Sequence, residues 1–407
     1  MTAATGGGAG RRSVSPVVAQ CVVAFCFGMP IAMLGVAWPQ IRGAFGRSNA
    51  DLGVLAVAYG VGRLATSGSS GAVLRRVSYG RTTTVAVAVV GGGSLLIVAA
   101  PNWPALVAAV AFVGAVSGLL DSLGARFLAN GRSVSHAGLI TGFYGIGATF
   151  GPGMVALTDR WELSYGVAGA IGIAAGVAGF VLPIRWPVEL DDPPRRSKAD
   201  THPAHPPVPR LGLLLSLGMF FAFIGVEVTT GQWTASLLED ARHVDHRLAG
   251  LAVSAFWAGL TAGRLLLARL RLSHPMLVGS ALALVGLLIG VAVLPRSLAV
   301  PIMLLAGLAL SPMAPTLFAQ TADRVGAALA QTVSGWQLIS ANVAGIGLPA
   351  LTGLLVGSVT EYAPTFVVVT VAALGVAFLV LVFRRPPIPH PGTEAADLIA
   401  PAPPAAL

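Results

Sequence analysis

Four charged side chains stand inside stretches that are otherwise apolar: Arg63, Asp121, Glu227 and Arg264. A charge at the centre of a bilayer costs about 2.5–3.5 kcal/mol on insertion scales, so each needs a reason to be there. Carboxylates in such a setting can carry protons, because desolvation favours the neutral acid and an approaching cation favours the anion. Asp121, in VGAVSGLLDSLGARFLAN, is the first candidate for that chemistry. An ion pair with Arg63 is the alternative and compatible explanation. Counted along their helices, the two differ in depth by roughly 7 Å, a gap one arginine can bridge.

Glu227 lies in FIGVEVTTGQWTASLL. Thr230 and Gly231 share its helix face at i+3 and i+4, with Gln232 and Trp233 just round the side. A carboxylate, a hydroxyl, an amide and an indole at one depth suit a polar solute. Bonding of Glu227 to a neighbouring helix alone is the plainer alternative. Arg264 falls about 9 Å from the level of Glu227, so a direct pair between these two is not expected. Tyr144 with Thr141, Trp257, and Trp336, Gln337 and Asn342 are further polar or aromatic candidates for lining a cavity, although packing is the commoner use of such residues. Pro152, after Gly151, and Pro349 are expected to kink their helices.

Other chemistry finds no support. The histidines fall in loops, the linker or the tail, Cys21 and Cys26 share one apolar span, and no cluster has metal-ligand spacing. The one lysine, Lys198, excludes a phosphate loop of the G-x-x-x-x-G-K-[ST] type. No G-x-S-x-G motif or similar nucleophile site occurs. Neither catalysis nor a cofactor is therefore expected.

The elements that must hold these side chains are membrane helices. With 55% hydrophobic and 10% charged residues, the chain is too apolar to cover a soluble surface. The net charge of +9 could point to nucleic acid, but the positives form no basic patch interleaved with aromatics. Windows of about 20 apolar residues give six spans first: Val14–Trp38, Leu52–Leu74, Thr83–Ala100, Pro104–Leu128, Ala137–Leu157 and Gly166–Ile184. Six more follow: Leu211–Leu238, Leu248–Leu267, Pro275–Leu294, Leu298–Ala319, Thr332–Val356 and Pro364–Phe383. The expected architecture is thus all-α, with twelve spans in two pseudo-symmetric six-helix bundles, 14–184 and 211–385. Between them lies the polar, proline-rich linker 185–210, which cannot cross lipid. Segments 1–13 and 386–407 are expected to be disordered tails.

Arginine placement orients the spans. Six positives, Arg42, Arg47, Arg160, Arg242, Arg247 and Arg296, fall on one side and seventeen on the side of the termini and linker. The positive-inside rule then puts both termini in the cytoplasm, as expected of a multi-pass protein of the plasma (inner) membrane. A twin-arginine leader at Arg11-Arg12 is disfavoured, because the apolar run after it is too long.

The halves also resemble each other. Gly62-Arg63-Leu64 recurs as Gly263-Arg264-Leu265, and Gly151-Pro152 has its counterpart in Leu348-Pro349, at nearly the same offset. Duplicated halves with a site near mid-membrane are a transporter architecture.

Two sets of six spans around a midpoint linker resemble the major facilitator superfamily over essentially the whole chain. That superfamily usually carries Gly-x-x-x-Asp-Arg-x-Gly-Arg after its second span. Here Gly71 and Arg76 match, Arg75 stands in place of the aspartate, and Gly80 comes two residues late. Gly118-Leu-Leu-Asp121, Phe143–Pro152, Gly225–Trp233 and Phe256–Leu265 are similar to the bacterial branch related to fucose:proton symporters. The resemblance implies a role for Asp121 in proton coupling. It does not carry sugar specificity, because the first span, Val14–Trp38, lacks the acid of the fucose permease. Three functions follow as expectations. The first is proton-coupled uptake of a small polar, sugar-like solute by a monomer. The second is proton-driven drug or metabolite efflux, which Gly147-x-x-x-Gly151-Pro152 would suit. The third is a sensor or scaffold that transports nothing.

Overall fold

A computed structural model describes residues 14–129, 134–190, 210–267 and 272–384. The expectations for segments 1–13 and 386–407 and for most of the linker lie outside the described residues.

Among these residues the chain is helical. The first set comprises α1 (Pro16–Ala44), α2 (Leu52–Thr66), α3 (Ser70–Leu74), α4 (Tyr79–Val98), α5 (Trp103–Ala129), α6 (Val134–Thr158) and α7 (Trp161–Val181). The second comprises α8 (Arg210–Ser236), α9 (His246–Leu267), α10 (His274–Val293), α11 (Ala299–Leu310), α12 (Met313–Ala319), α13 (Thr321–Val325), α14 (Ala327–Ser358) and α15 (Ala363–Phe383). A π-helical turn, Leu237–Ala241, extends α8. Below, the distal end is the one where α1 finishes, and the proximal end is the one where it begins.

Among the described residues, eleven helical stretches are long and apolar enough to cross a membrane. The shortfall from twelve has a local cause. The expected span Leu52–Leu74 is two helices, because α2 stops at Thr66 before Ser67-Gly68-Ser69 and leaves fifteen residues. There Ser67 Oγ donates to Leu64 O at 3.1 Å and Ser69 Oγ to Thr66 O at 2.7 Å. Such side-chain bonds to nearby carbonyls compete with the helix, and Gly68 adds no propensity to continue it.

The packing repeats between the sets. In the first, α1 packs on α6, α2 on α5 and α4 on α7; in the second, α8 packs on α14, α9 on α11 and α10 on α15. Position by position these are the same partnerships. Contacts between the sets obey the same exchange, with α6 on α9 and α14 on α2 flanking α1 on α8. Helices in lipid gain little hydrophobic energy from meeting, so close backbone approach must hold them. The sequence supplies it with reciprocal glycines. A Cβ added at Gly114 would strike the Tyr59 carbonyl, and one at Gly62 the Ala111 carbonyl. In the second set Gly307 sits equally tightly against Phe256, and Gly259 against Leu304. The glycines of both Gly-Arg-Leu repeats pack in this way, Gly62 against α5 and Gly263 against Ser311 at the end of α11, which fixes where the following arginine projects.

Candidate functional site

Between the two sets lies a cavity of about 560 Å3 that Arg63, Asp121, Glu227 and Arg264 all line. Its volume is in the range of small-molecule sites. The charges are paired. Arg63 Nε donates to Asp121 Oδ2 at 2.6 Å, and Arg264 Nη2 to Glu227 Oε2 at 2.6 Å. The first pair is the one expected from depth.

The second pair corrects the expectation that Glu227 and Arg264 are too far apart. Cα–Cβ bonds lean towards a helix's N-terminus. The N-terminus of α8 is proximal and that of α9 is distal, so these two side chains lean towards each other. Counting residues along the axes leaves that lean out. The Glu227 side chain is 11% exposed, against 30% for Asp121, so Asp121 is the acid more open to the cavity.

The other nominated residues divide. Gln232, Trp257, Tyr144, Thr141 and Asn342 line the cavity. Gly231 makes room for the Trp257 indole, since a Cβ there would lie 2.8 Å from its Cζ2. Gln232 Oε1 and Trp257 Nε1 are buried without a hydrogen-bond partner. Thr230, Trp233 and Gln337 are not part of the lining. Trp233 is fully buried and donates to Pro349 O at 3.2 Å, tying α8 to α14. Thr230 faces a cleft of about 10 Å3 shared with Thr229 and Thr365. Gln337 bonds Thr321 instead. Pro152 lies inside α6 and Pro349 inside α14.

One polar cluster went unnoticed in the sequence, because its members sit in loops and at span ends. At the distal end Arg42 pairs with Asp240, whose Oδ2 also accepts from Asn49 Nδ2 at 2.8 Å. Gln40 Oε1 accepts from the Trp161 amide at 2.8 Å, and its Nε2 donates to Asp159 Oδ1 at 2.9 Å. The same Nε2 stands 3.1 Å from His246 Nε2, whose Nδ1 is 2.8 Å from Glu239 Oε1. The two other contacts orient the Gln40 amide, so His246 Nε2 must accept and Nδ1–H must donate to Glu239. Asp159 holds φ at 51°, a left-handed turn that ends α6 beneath Gln40. The π turn supplies both Glu239 and Asp240. The readable signal was an acidic pair closing one span opposite Arg42 at the close of another.

Polar bonds between the two sets, among the described residues, run through this distal cluster and through Ser254 Oγ, which donates to Thr149 O at 2.7 Å. These bonds bolt the distal end. Asp240→Ala removes two of the bolts, both accepted by its carboxylate; the loss of one such bond, at about 1.5 kcal/mol, is tenfold. In that variant a cysteine at Gln232, with Cys21 and Cys26 replaced, is expected to react about tenfold faster with an impermeant thiol reagent supplied distally. Unchanged reactivity would mean that the cluster does not hold the end shut.

Similarly packed helical sets around a charged cavity, bonded to each other at one end, define a multi-pass membrane protein of the transporter class. The chain belongs to the Major Facilitator Superfamily, whose family profile matches residues 21–349. No curated protein sequence matches it. Among solved structures it is similar to the nucleoside transporter NupG, with a TM-score of 0.69 at 14% identity over 90% of this chain and 99% of that one. It is also similar to a bacterial homologue of the human lysosomal transporter Spinster, inward-facing and occupied (TM-score 0.64, 14% identity, 90% and 96% covered). The transporter FucP in its outward conformation gives a TM-score of 0.58 at 15% identity, covering 90% and 98%. At such identities the likeness is one of fold.

Proposed function

We propose that this protein is a proton-coupled secondary transporter that moves a small polar, sugar-like solute by alternating access. The observation that carries the reading is the pair of ion pairs in one cavity, each with a carboxylate able to exchange a proton for its arginine. Both termini face the cytoplasm of a plasma-membrane protein, by the excess of arginine on the proximal side. The bolted distal end then makes this an inward-facing state. Asp121 carries the coupling proton, with Glu227 as the second acid; Arg63 and Arg264 gate by pairing with them. An acid crosses a closed, dry state at low cost only when a proton or its arginine neutralises it, so the exchange between inward and outward forms follows the proton and the pairing together. Gln232, Trp257, Tyr144 and Asn342 contact the solute, and Pro152 and Pro349 are the hinge points of α6 and α14.

Gly147 and Gly151, which suited an efflux protein in the sequence, press α6 against Phe25 and Met29 of α1. That packing serves either direction of flux. Reconstituted protein exposed to sugars, polyols and cationic dyes separates the readings through internal pH. Proton entry with a polar, sugar-like solute and not with a dye is the expected result. Proton movement driven by a dye would replace symport with antiport, and a silent protein would leave the sensor reading.

A further inference from the structure

The cavity's charge balance says more about the solute than its polarity does. This step rests on the proton-coupled reading above. With both acids ionised, Arg63, Arg264, Asp121 and Glu227 sum to zero, and among the described residues no other charged one lines the cavity. Binding one proton leaves a net charge of plus one. Each arginine spends a single N–H on its acid: Nε of Arg63 and Nη2 of Arg264. The terminal Nη1/Nη2 edge of Arg63 has no hydrogen-bond partner among the described residues, and its side chain is 38% exposed. A guanidinium edge of this kind matches a carboxylate with two parallel hydrogen bonds. Gln232 and Trp257 also line the cavity, and their buried, unpartnered atoms Gln232 Oε1 and Trp257 Nε1 are one acceptor and one donor, both neutral. A hydroxyl satisfies each of them, since it donates and accepts.

We propose that the solute is a hydroxylated monocarboxylate. Its carboxylate seats on the free edge of Arg63 while a proton sits on Asp121, and its hydroxyls meet Gln232 and Trp257 of the second set. Proton arrival on Asp121 leaves the Arg63 charge uncompensated, so its open edge holds the anion; proton loss restores the internal pair and expels the anion. One proton and one monoanion together leave the cavity's charge as it was when empty. Loaded and empty carriers therefore cross with equal charge, and transport is electroneutral. A neutral solute entering with a proton would instead carry one positive charge through the dry state and be driven by voltage.

The test uses the full chain in liposomes containing a pH-sensitive dye, with membrane potential set by a potassium gradient and valinomycin. The probes are D-gluconate, D-glucuronate and glycerate, each set against a neutral polyol of equal carbon number such as D-glucitol. The expected result is proton entry with one or more of the acids, at a rate unchanged by the imposed potential. Arg63→Lys, which keeps a charge beside Asp121 but loses the two-pronged edge, is expected to raise the half-saturating concentration of that acid about tenfold. Proton entry with polyols alone, accelerated by an inside-negative potential, overturns the monocarboxylate assignment and leaves proton-coupled transport standing. Flux of an acid that follows the potential also overturns it. If no probe moves and no proton enters, both the assignment and the transport reading fall.

Discussion

Asp121→Asn is expected to abolish accumulation of the solute against its gradient while solute exchange across the membrane continues. Asparagine has nearly the same shape and can still accept the hydrogen bond from Arg63 Nε that now spans 2.6 Å. What it lacks is a titrating proton. With one proton per solute, a difference of two pH units sustains about hundredfold accumulation, from about 1.4 kcal/mol per unit. The variant should stop at equal concentrations on both sides. Uptake driven by a pH gradient, compared with counterflow in the absence of one, separates the two behaviours in a single preparation. Accumulation that survives in Asp121→Asn would transfer the coupling role to another group, with Glu227 next.

Arg264→Met is expected to cost about 3 kcal/mol of stability, near the low end for breaking a shielded pair, because the cavity lets some water reach the arginine. Its side chain is 22% exposed, whereas Glu227 is left at 11% with its anion uncompensated. The larger part of the loss comes from that stranded carboxylate and not from the missing attraction. Glu227→Gln added to Arg264→Met should therefore recover most of the loss. Thermal unfolding in detergent of the two single variants and the double variant gives the comparison. A single Arg264→Met protein that melts with the wild type would show the pair to be energetically idle in the folded state.

Arg324 adds a contrast in how buried arginines are held. It sits in α13, outside the long spans, at 8% exposure. Its Nε donates to Ser216 Oγ at 2.8 Å and Nη2 to Leu317 O, and burial pulls its pKa down to about 10. In the sequence it read only as a positive on the proximal side. Neutral oxygens from α8, α12 and α13 hold this guanidinium, and a one-dimensional count of charges carries no trace of them.

The membrane class follows from composition and periodicity, because lipid forbids unsatisfied backbone and so forces long apolar helices that are visible residue by residue. The four misplaced charges were legible for the same reason: in an apolar span a charge has no neighbour to hide among. The break after Thr66 was harder to see, since apolar residues continue past it and only Ser67-Gly68-Ser69 marks the stop. Tertiary structure alone decided the partners. Glu227 meets Arg264 because antiparallel helices tilt their side chains towards one another, and Trp233 leaves the cavity because the turn of α8 aims it at Pro349. The distal cluster of Gln40, Arg42, Asp159, Glu239, Asp240 and His246 draws on four separated segments. The bonds of Asp240 to Arg42 and Asn49 and of Gln40 to His246 exist only once the two halves have met, and no local pattern in any one segment encodes that meeting.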